Sequence, residues 1–185
     1  MAGYINTAKN QDWGTPDKVM EIVSYAFNGM LDLDPCGNPD RLLEGVSSTF
    51  IKAASHKNKA LLESKGAVFG KDGLLEKWYG NIYVNPPYGK PLDEWMRKCA
   101  DQKGANVIAL LPSYTGRAVF QETLPSAAAV CLMRGRLKFA GAKDSAGFSS
   151  MLVLWSKDRY LPDKFVDTMD RFNAGLTLRM PQRKP

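Results

Sequence analysis

The chain has 185 residues, 44% of them hydrophobic and 24% charged, enough to bury one sizeable core, so a single domain is expected. No uninterrupted apolar run approaches the roughly 18–20 residues that span a bilayer, and the opening MAGYINTAKNQDWGTP lacks the basic-then-apolar order of a secretory signal, which argues for a cytoplasmic protein without a membrane partner. Three scattered cysteines (Cys36, Cys99, Cys131) and the single His56 form neither a disulfide framework nor a zinc site, so no metal is expected, and the formal charge of +6 suits a polyanionic partner without establishing one.

Along the chain, Thr15 and Pro16 predict a helix start, with Thr15 as the cap and proline at the first helical position. Val19, Met20, Ile22, Val23, Ala26 and Phe27 then recur at helical spacing as far as Asn28-Gly29, a stop signal. MLDLDPCGNPD reads as a short strand carrying Leu31 and Leu33, opening at Asp34-Pro35 into a loop rich in Gly, Asn and Pro. Between Arg41 and Gly66 the only element that stands out is a helix near Asn58 to Ser64, and AVFG follows as a short strand before a KDG turn.

The apolar run NIYV leads into VNPPYGK, and Leu92, Trp95, Met96, Cys99 and Ala100 then mark one face of a helix ending near Gly104. NVIALL is a continuous apolar run closed by Pro112, as expected for a strand covered on both faces of a parallel sheet. Gly116 to Thr123 reads as another helix. The runs AAAVCLM, RLKFA and SSMLVLW leave too few residues for crossover helices, which predicts antiparallel strands closing one edge. Phe165, Met169 and Phe172 give a last helix before PQRKP, which reads as frayed.

The expected fold is therefore α/β: one domain with an open, mostly parallel sheet, an antiparallel edge and helices on both faces. Such sheets bind ligands beyond the carboxyl ends of their strands, at a topological switch point. Three polar loops, DPCGNPD, KDG and NPPY, fit that rule.

The NPPY loop carries the sharpest chemistry. Tandem Pro86-Pro87 fixes an extended backbone without peptide N–H groups and presents its carbonyls rigidly. An exocyclic amino group has two donors, which the Asn85 side-chain oxygen and the Pro86 carbonyl could accept together, while Tyr88 could stack on an extruded ring. The plainer alternative is a strand-ending turn with Tyr88 packed in the core.

The ordered set DWGTP, LDLDPCG, FGKDGL..W, VNPPYGK..DEW, VIALLPS and RGRLKF resembles the phage-type DNA N6-adenine methyltransferases, a Dam-like class with a Rossmann-like, S-adenosylmethionine-dependent methyltransferase fold. The resemblance runs from about Asp12 to Trp155, with a core of about residues 12–160. It implies S-adenosylmethionine as cofactor and DNA as partner. It places Trp13, Thr15 and Pro16 against the methionine end of the cofactor, with Asp34, Pro35 and Gly37 in the first cofactor loop, where glycine would let backbone approach closely. Asp72 would accept from the cofactor adenine's amino group, and Asn85, Pro86, Pro87 and Tyr88 would form the catalytic loop. Lys90, Arg117, Arg134, Arg136 and Lys138 are the candidate DNA contacts.

One departure concerns LLPSYTGRAVF, where Tyr114 takes the place of an arginine common in the family, with Arg117 nearby. After the last core strand only about 30 residues remain, too few for a separate target-recognition domain. Recognition is then expected from the loops Arg41 to Lys65 or Ala140 to Gly147, or from a second subunit in a homodimer. The implied activity is methyl transfer to adenine N6 in DNA, in a bacterial host cell, as phage or prophage protection from restriction. Two alternatives stay open: an NPPY enzyme acting on RNA or on a protein glutamine, and a non-catalytic nucleic-acid-binding module with the same fold.

Overall fold

A computed structural model describes residues 14–181. Its strands are β1 (Leu31–Asp34), β2 (Val46–Ile51), β3 (Ala67–Phe69), β4 (Gly80–Val84), β5 (Ala105–Pro112), β6 (Ala129–Met133), β7 (Ser150–Trp155) and β8 (Gly175–Arg179). The helices are α1 (Asp17–Ala26), α2 (Lys59–Glu63), α3 (Leu92–Ala100), α4 (Ala118–Thr123) and α5 (Leu161–Arg171). All eight strands join one sheet in the order β3-β2-β1-β4-β5-β7-β6-β8. The pairs from β3 to β5 are parallel, and those linking β5, β7, β6 and β8 are antiparallel. Hence β6 runs with β1 to β5, and only β7 and β8 are reversed.

The helices form because their apolar positions repeat every three or four residues. Val19, Ile22, Val23 and Ala26 are buried on α1, and Leu92, Trp95, Met96 and Cys99 on α3. α1 packs with α5, and α3 with α4. Ile82 to Val84, Val107 to Leu111 and all of β7 are buried whichever way their side chains point, so the two helix pairs cover opposite faces. Each fully buried aliphatic side chain there contributes roughly 1.5–3 kcal/mol over its exposed state.

Three expectations change in the structure. RLKFA is a loop and not a strand, because β8 already occupies the free edge of β6 and leaves that run no ladder partner; Phe139 turns inward and Ala140 bridges Gly14. β2 and β8 are strands that the sequence pattern did not disclose. Finally, α1 begins after Pro16, with no side-chain capping bond, so Thr15 is not its cap. That frees the Thr15 hydroxyl for other contacts.

The sheet order reverses between β1 and β4: β1 leads outward to β2 and β3, whereas β4 leads the other way to β5. The carboxyl ends of β1 and β4 thus flank the switch point. DPCG leaves one and NPPY leaves the other.

Candidate active site

At the end of β4, Asn85 is tied to the opening turn of the described chain. Its Nδ2 donates to Thr15 Oγ1 at 3.2 Å, and that hydroxyl also shares a hydrogen bond of 3.0 Å with the buried Tyr83 hydroxyl. An amide whose nitrogen faces Thr15 presents its oxygen on the opposite side. Burial pushes the Tyr83 phenol well up, so it stays neutral.

The β1 loop meets the same point from the other side. Asp34 is 5% exposed, and its Oδ1 accepts the Cys36 N–H at 3.1 Å. The Cys36 thiol donates to the Asn85 carbonyl at 3.3 Å, joining the two loops. Burial, reinforced by the Asp34 carboxylate, pushes that thiol well up and keeps it a neutral donor. Burial also raises Asp34 to about 6, against which the Cys36 contacts act only weakly.

Gly73 brings the third loop in. A Cβ there would lie 1.9 Å from the Pro35 carbonyl oxygen, so only glycine lets KDG lie against the β1 loop. The Gly73 carbonyl is anchored by the buried Trp78 indole N–H at 2.9 Å. Beside it, Asp72 pairs with Lys52 at 2.7 Å and accepts the Leu74 N–H at 3.1 Å, and the Lys52 contact holds its carboxyl below the usual range. Gly37 departs from its expected reason: a Cβ there would lie 2.0 Å from the Thr49 side chain, so its tight neighbour is β2.

Tyr88 also departs from the open-platform picture. Its ring is 7% exposed, its hydroxyl donates to the Leu110 carbonyl at 3.3 Å, and Phe139 and Phe148 approach it edge-on at 6.0 and 5.5 Å between centroids. In this conformation it closes the core beneath the loop. Tyr114, by contrast, is 36% exposed and tilts over Phe148 at 5.9 Å.

Among the expected DNA contacts, Arg117 is ion-paired with Asp93. Lys90 is exposed in the turn after NPPY, and Arg134, Arg136 and Lys138 are exposed in the loop that leaves β6. Because β6 runs parallel to β4, that loop opens at the same edge of the sheet as NPPY. The loops starting at Arg41 and Ala140 meet there, where the Arg41 guanidinium donates to the Ala140 carbonyl. Pro16 adjoins Thr15 at the start of α1, whereas Trp13 lies outside the described residues.

With the three loops in place, a family model described as DNA N-6-adenine-methyltransferase (Dam) matches residues 4–172. The chain belongs to that family. Membership makes it an S-adenosylmethionine-dependent methyltransferase. No curated protein matches the chain. Among solved structures, it is similar to a SAM-dependent O-methyltransferase from Thermotoga maritima, with a TM-score of 0.48, 10% identity, and coverage of 84% of this chain and 70% of that one. A predicted O-methyltransferase from Agrobacterium tumefaciens aligns with a TM-score of 0.39 and 12% identity over 84% of this chain and 97% of that one.

The residues at the switch point suit a cofactor of this chemistry. Asp34 is a buried carboxylate that no lysine or arginine neutralises among the described residues, which favours a ligand carrying positive charge or N–H donors. The family motifs did not reveal the supporting contacts. Cys36 and Tyr83 reach their partners across the chain, and their only signal is position: Cys36 sits between Pro35 and Gly37, and Tyr83 lies two residues before Asn85.

Proposed function

We propose that this methyltransferase acts on the exocyclic N6 amino group of adenine in DNA. The observation that carries this reading is the fixed orientation of Asn85, whose Nδ2 is held by Thr15 directly before the rigid Pro86-Pro87 pair. The Asn85 side-chain oxygen and the Pro86 carbonyl are the acceptors for the two amino hydrogens. Drawing those hydrogens toward the acceptors frees the nitrogen lone pair from the ring. S-adenosylmethionine supplies an electrophilic methyl group. The amino nitrogen gains that methyl group and releases one proton to water, so positioning, not acid–base chemistry, is the protein's main task.

Thr15 and Cys36 hold Asn85 from two sides, Asp34 and Asp72 supply carboxylates for cofactor binding, and Tyr88 supports the loop from below. Arg134, Arg136, Lys138 and Lys90 offer positive charge for phosphates along one rim. On this reading the enzyme works in the bacterial cytoplasm and protects phage or prophage DNA from restriction.

The test is incubation with S-adenosylmethionine carrying a labelled methyl group and unmethylated DNA, with RNA and protein in parallel, followed by digestion and mass spectrometry. N6-methyladenine from DNA that disappears in Asn85→Ala is the expected result. Label in RNA or protein alone would refute the proposed substrate.

A further inference from the structure

β8 ends the sheet on one side, and no strand lies beyond it among the described residues. Its ladder to β6 fixes which backbone groups are spent. The Met180 N–H donates to the Ala128 carbonyl and the Arg134 N–H to the Ala174 carbonyl, so in this register the even-numbered residues of β8 face β6. Gly175, Thr177 and Arg179 therefore turn their N–H and C=O groups outward. Arg179 pairs with Asp163 of α5, which puts the odd-numbered side chains on the α5 face and the even-numbered ones on the other. On that other face Leu176 stands opposite Leu132, and Leu132, Leu176 and Leu178 are 37%, 63% and 47% exposed. Sheet edges are usually blunted by shortness, lysine or proline. β3, at the opposite edge, has three residues and is flanked by Lys65 and Lys71, whereas GLTLR has five residues and neither lysine nor proline.

We propose that this edge pairs with β8 of a second copy of the chain, antiparallel about a twofold axis at Thr177. The inference does not depend on the methyl acceptor. A centre at Thr177 engages all three outward residues: Thr177 meets its own counterpart, and Gly175 meets Arg179 of the second copy. Leu176 then falls opposite Leu178 of the second copy at a position without backbone bonds, where side chains approach most closely. The leucines of both copies form one covered patch, continuous with Leu132. Charge is complementary as well. Asp163, Asp167 and Asp170 are exposed at helical spacing along α5, and Arg179 of the second copy arrives at Gly175, just after the turn that follows Asp170. An unlike strand would have to reproduce this pattern, whereas a second copy supplies it by symmetry. Because β8 runs against β1 to β5, the twofold sets the site loops of the two copies at opposite edges of the joined sheet. Each copy therefore keeps a complete site of its own.

The test is sedimentation of the full chain at micromolar concentration, together with disulfide trapping. Wild type should sediment as a dimer and Leu176→Lys as a folded monomer, since Leu176 is exposed and its loss leaves the core intact. Leu176→Cys mixed with Leu178→Cys should cross-link under mild oxidation at least about tenfold faster than either variant alone. The proposed register places only the unlike pair at a Cα separation of about 4.5 Å, within disulfide reach, and leaves like pairs about 7–8 Å apart. Wild type treated in parallel controls for Cys36, Cys99 and Cys131. A monomeric wild type overturns the proposal and leaves the edge to an unlike strand. A dimer that survives Leu176→Lys, or that cross-links like with like as fast as the mixture, overturns it in favour of another surface or register.

Discussion

Replacing Asp34 with asparagine should make the ligand-free protein more stable at pH 8 and leave it nearly unchanged at pH 4. Asp34 is buried at the end of β1, and burial raises its carboxyl from the ordinary 3.8 to about 6. The native state therefore binds this proton more tightly than the unfolded chain does. Stability from this group is fully present below about 3.8, falls as pH rises through about 6, and stays reduced above it. A displacement from 3.8 to about 6 corresponds to roughly 3 kcal/mol. For a chain of this size that is about 6–12 °C in melting temperature.

Asparagine has nearly the same shape, and its amide oxygen can still accept the Cys36 N–H, so the substitution mainly removes the buried charge. Melting curves of wild type and Asp34→Asn at pH 4, 6 and 8 isolate the effect, because every other carboxylate titrates alike in both. The gap should open between pH 4 and pH 6 and then level off. S-adenosylhomocysteine should bind the variant at least about tenfold more weakly, the usual exchange of function for stability at a strained site. A gap that does not change with pH, or a variant less stable than wild type at pH 8, would refute the argument that Asp34 is held as an uncompensated buried acid.

Two further substitutions test the loop's support. Thr15→Val removes the hydroxyl shared by Asn85 and Tyr83, so turnover should fall about tenfold or more, with about 1–3 kcal/mol of stability lost at the buried Tyr83 hydroxyl. Thr15→Ser should restore most of both in paired kinetic and denaturant measurements. Tyr88→Phe removes only the hydroxyl bonded to the Leu110 carbonyl and should cost about 1 kcal/mol in urea denaturation, with turnover within about threefold of wild type. A much larger loss of turnover without a loss of stability would show that the Tyr88 hydroxyl acts in catalysis.

The parts legible in the sequence are those whose information is local. α1, α3, β1 and β4 were readable because their apolar residues repeat on one face or end in Pro and Gly punctuation, and β5 because it is apolar throughout. β2 hid because VSSTFI buries Val46, Thr49 and Ile51, a spacing that is not period two. β8 hid because an edge strand such as GLTLR leaves Leu176 and Leu178 exposed and has no inward face to recognise. RLKFA misled for the opposite reason, since its alternation is strand-like but its edge is taken. The three site loops stood out as motifs. What fixes them did not, because Thr15 lies 68 residues from Tyr83 and 70 from Asn85. No local pattern encodes such a contact.

The connection between β1 and β2 explains why these loops can meet. Parallel neighbours need a crossover, usually a helix that covers the sheet. Here residues 35–45 contain no helix, and α2, after β2, buries none of its residues. That end of the sheet is correspondingly thinly covered, with Leu61 and Val68 exposed. The same departure lets the chain after Asp34 pass close over the site, placing Cys36 against Asn85 and carrying Arg41 across to Ala140. A helix in that connection would have covered the sheet but carried the backbone away from the switch point. The loop instead joins the β1 and β6 sides of the site into one rim, with the Arg41 guanidinium donating to the Ala140 carbonyl.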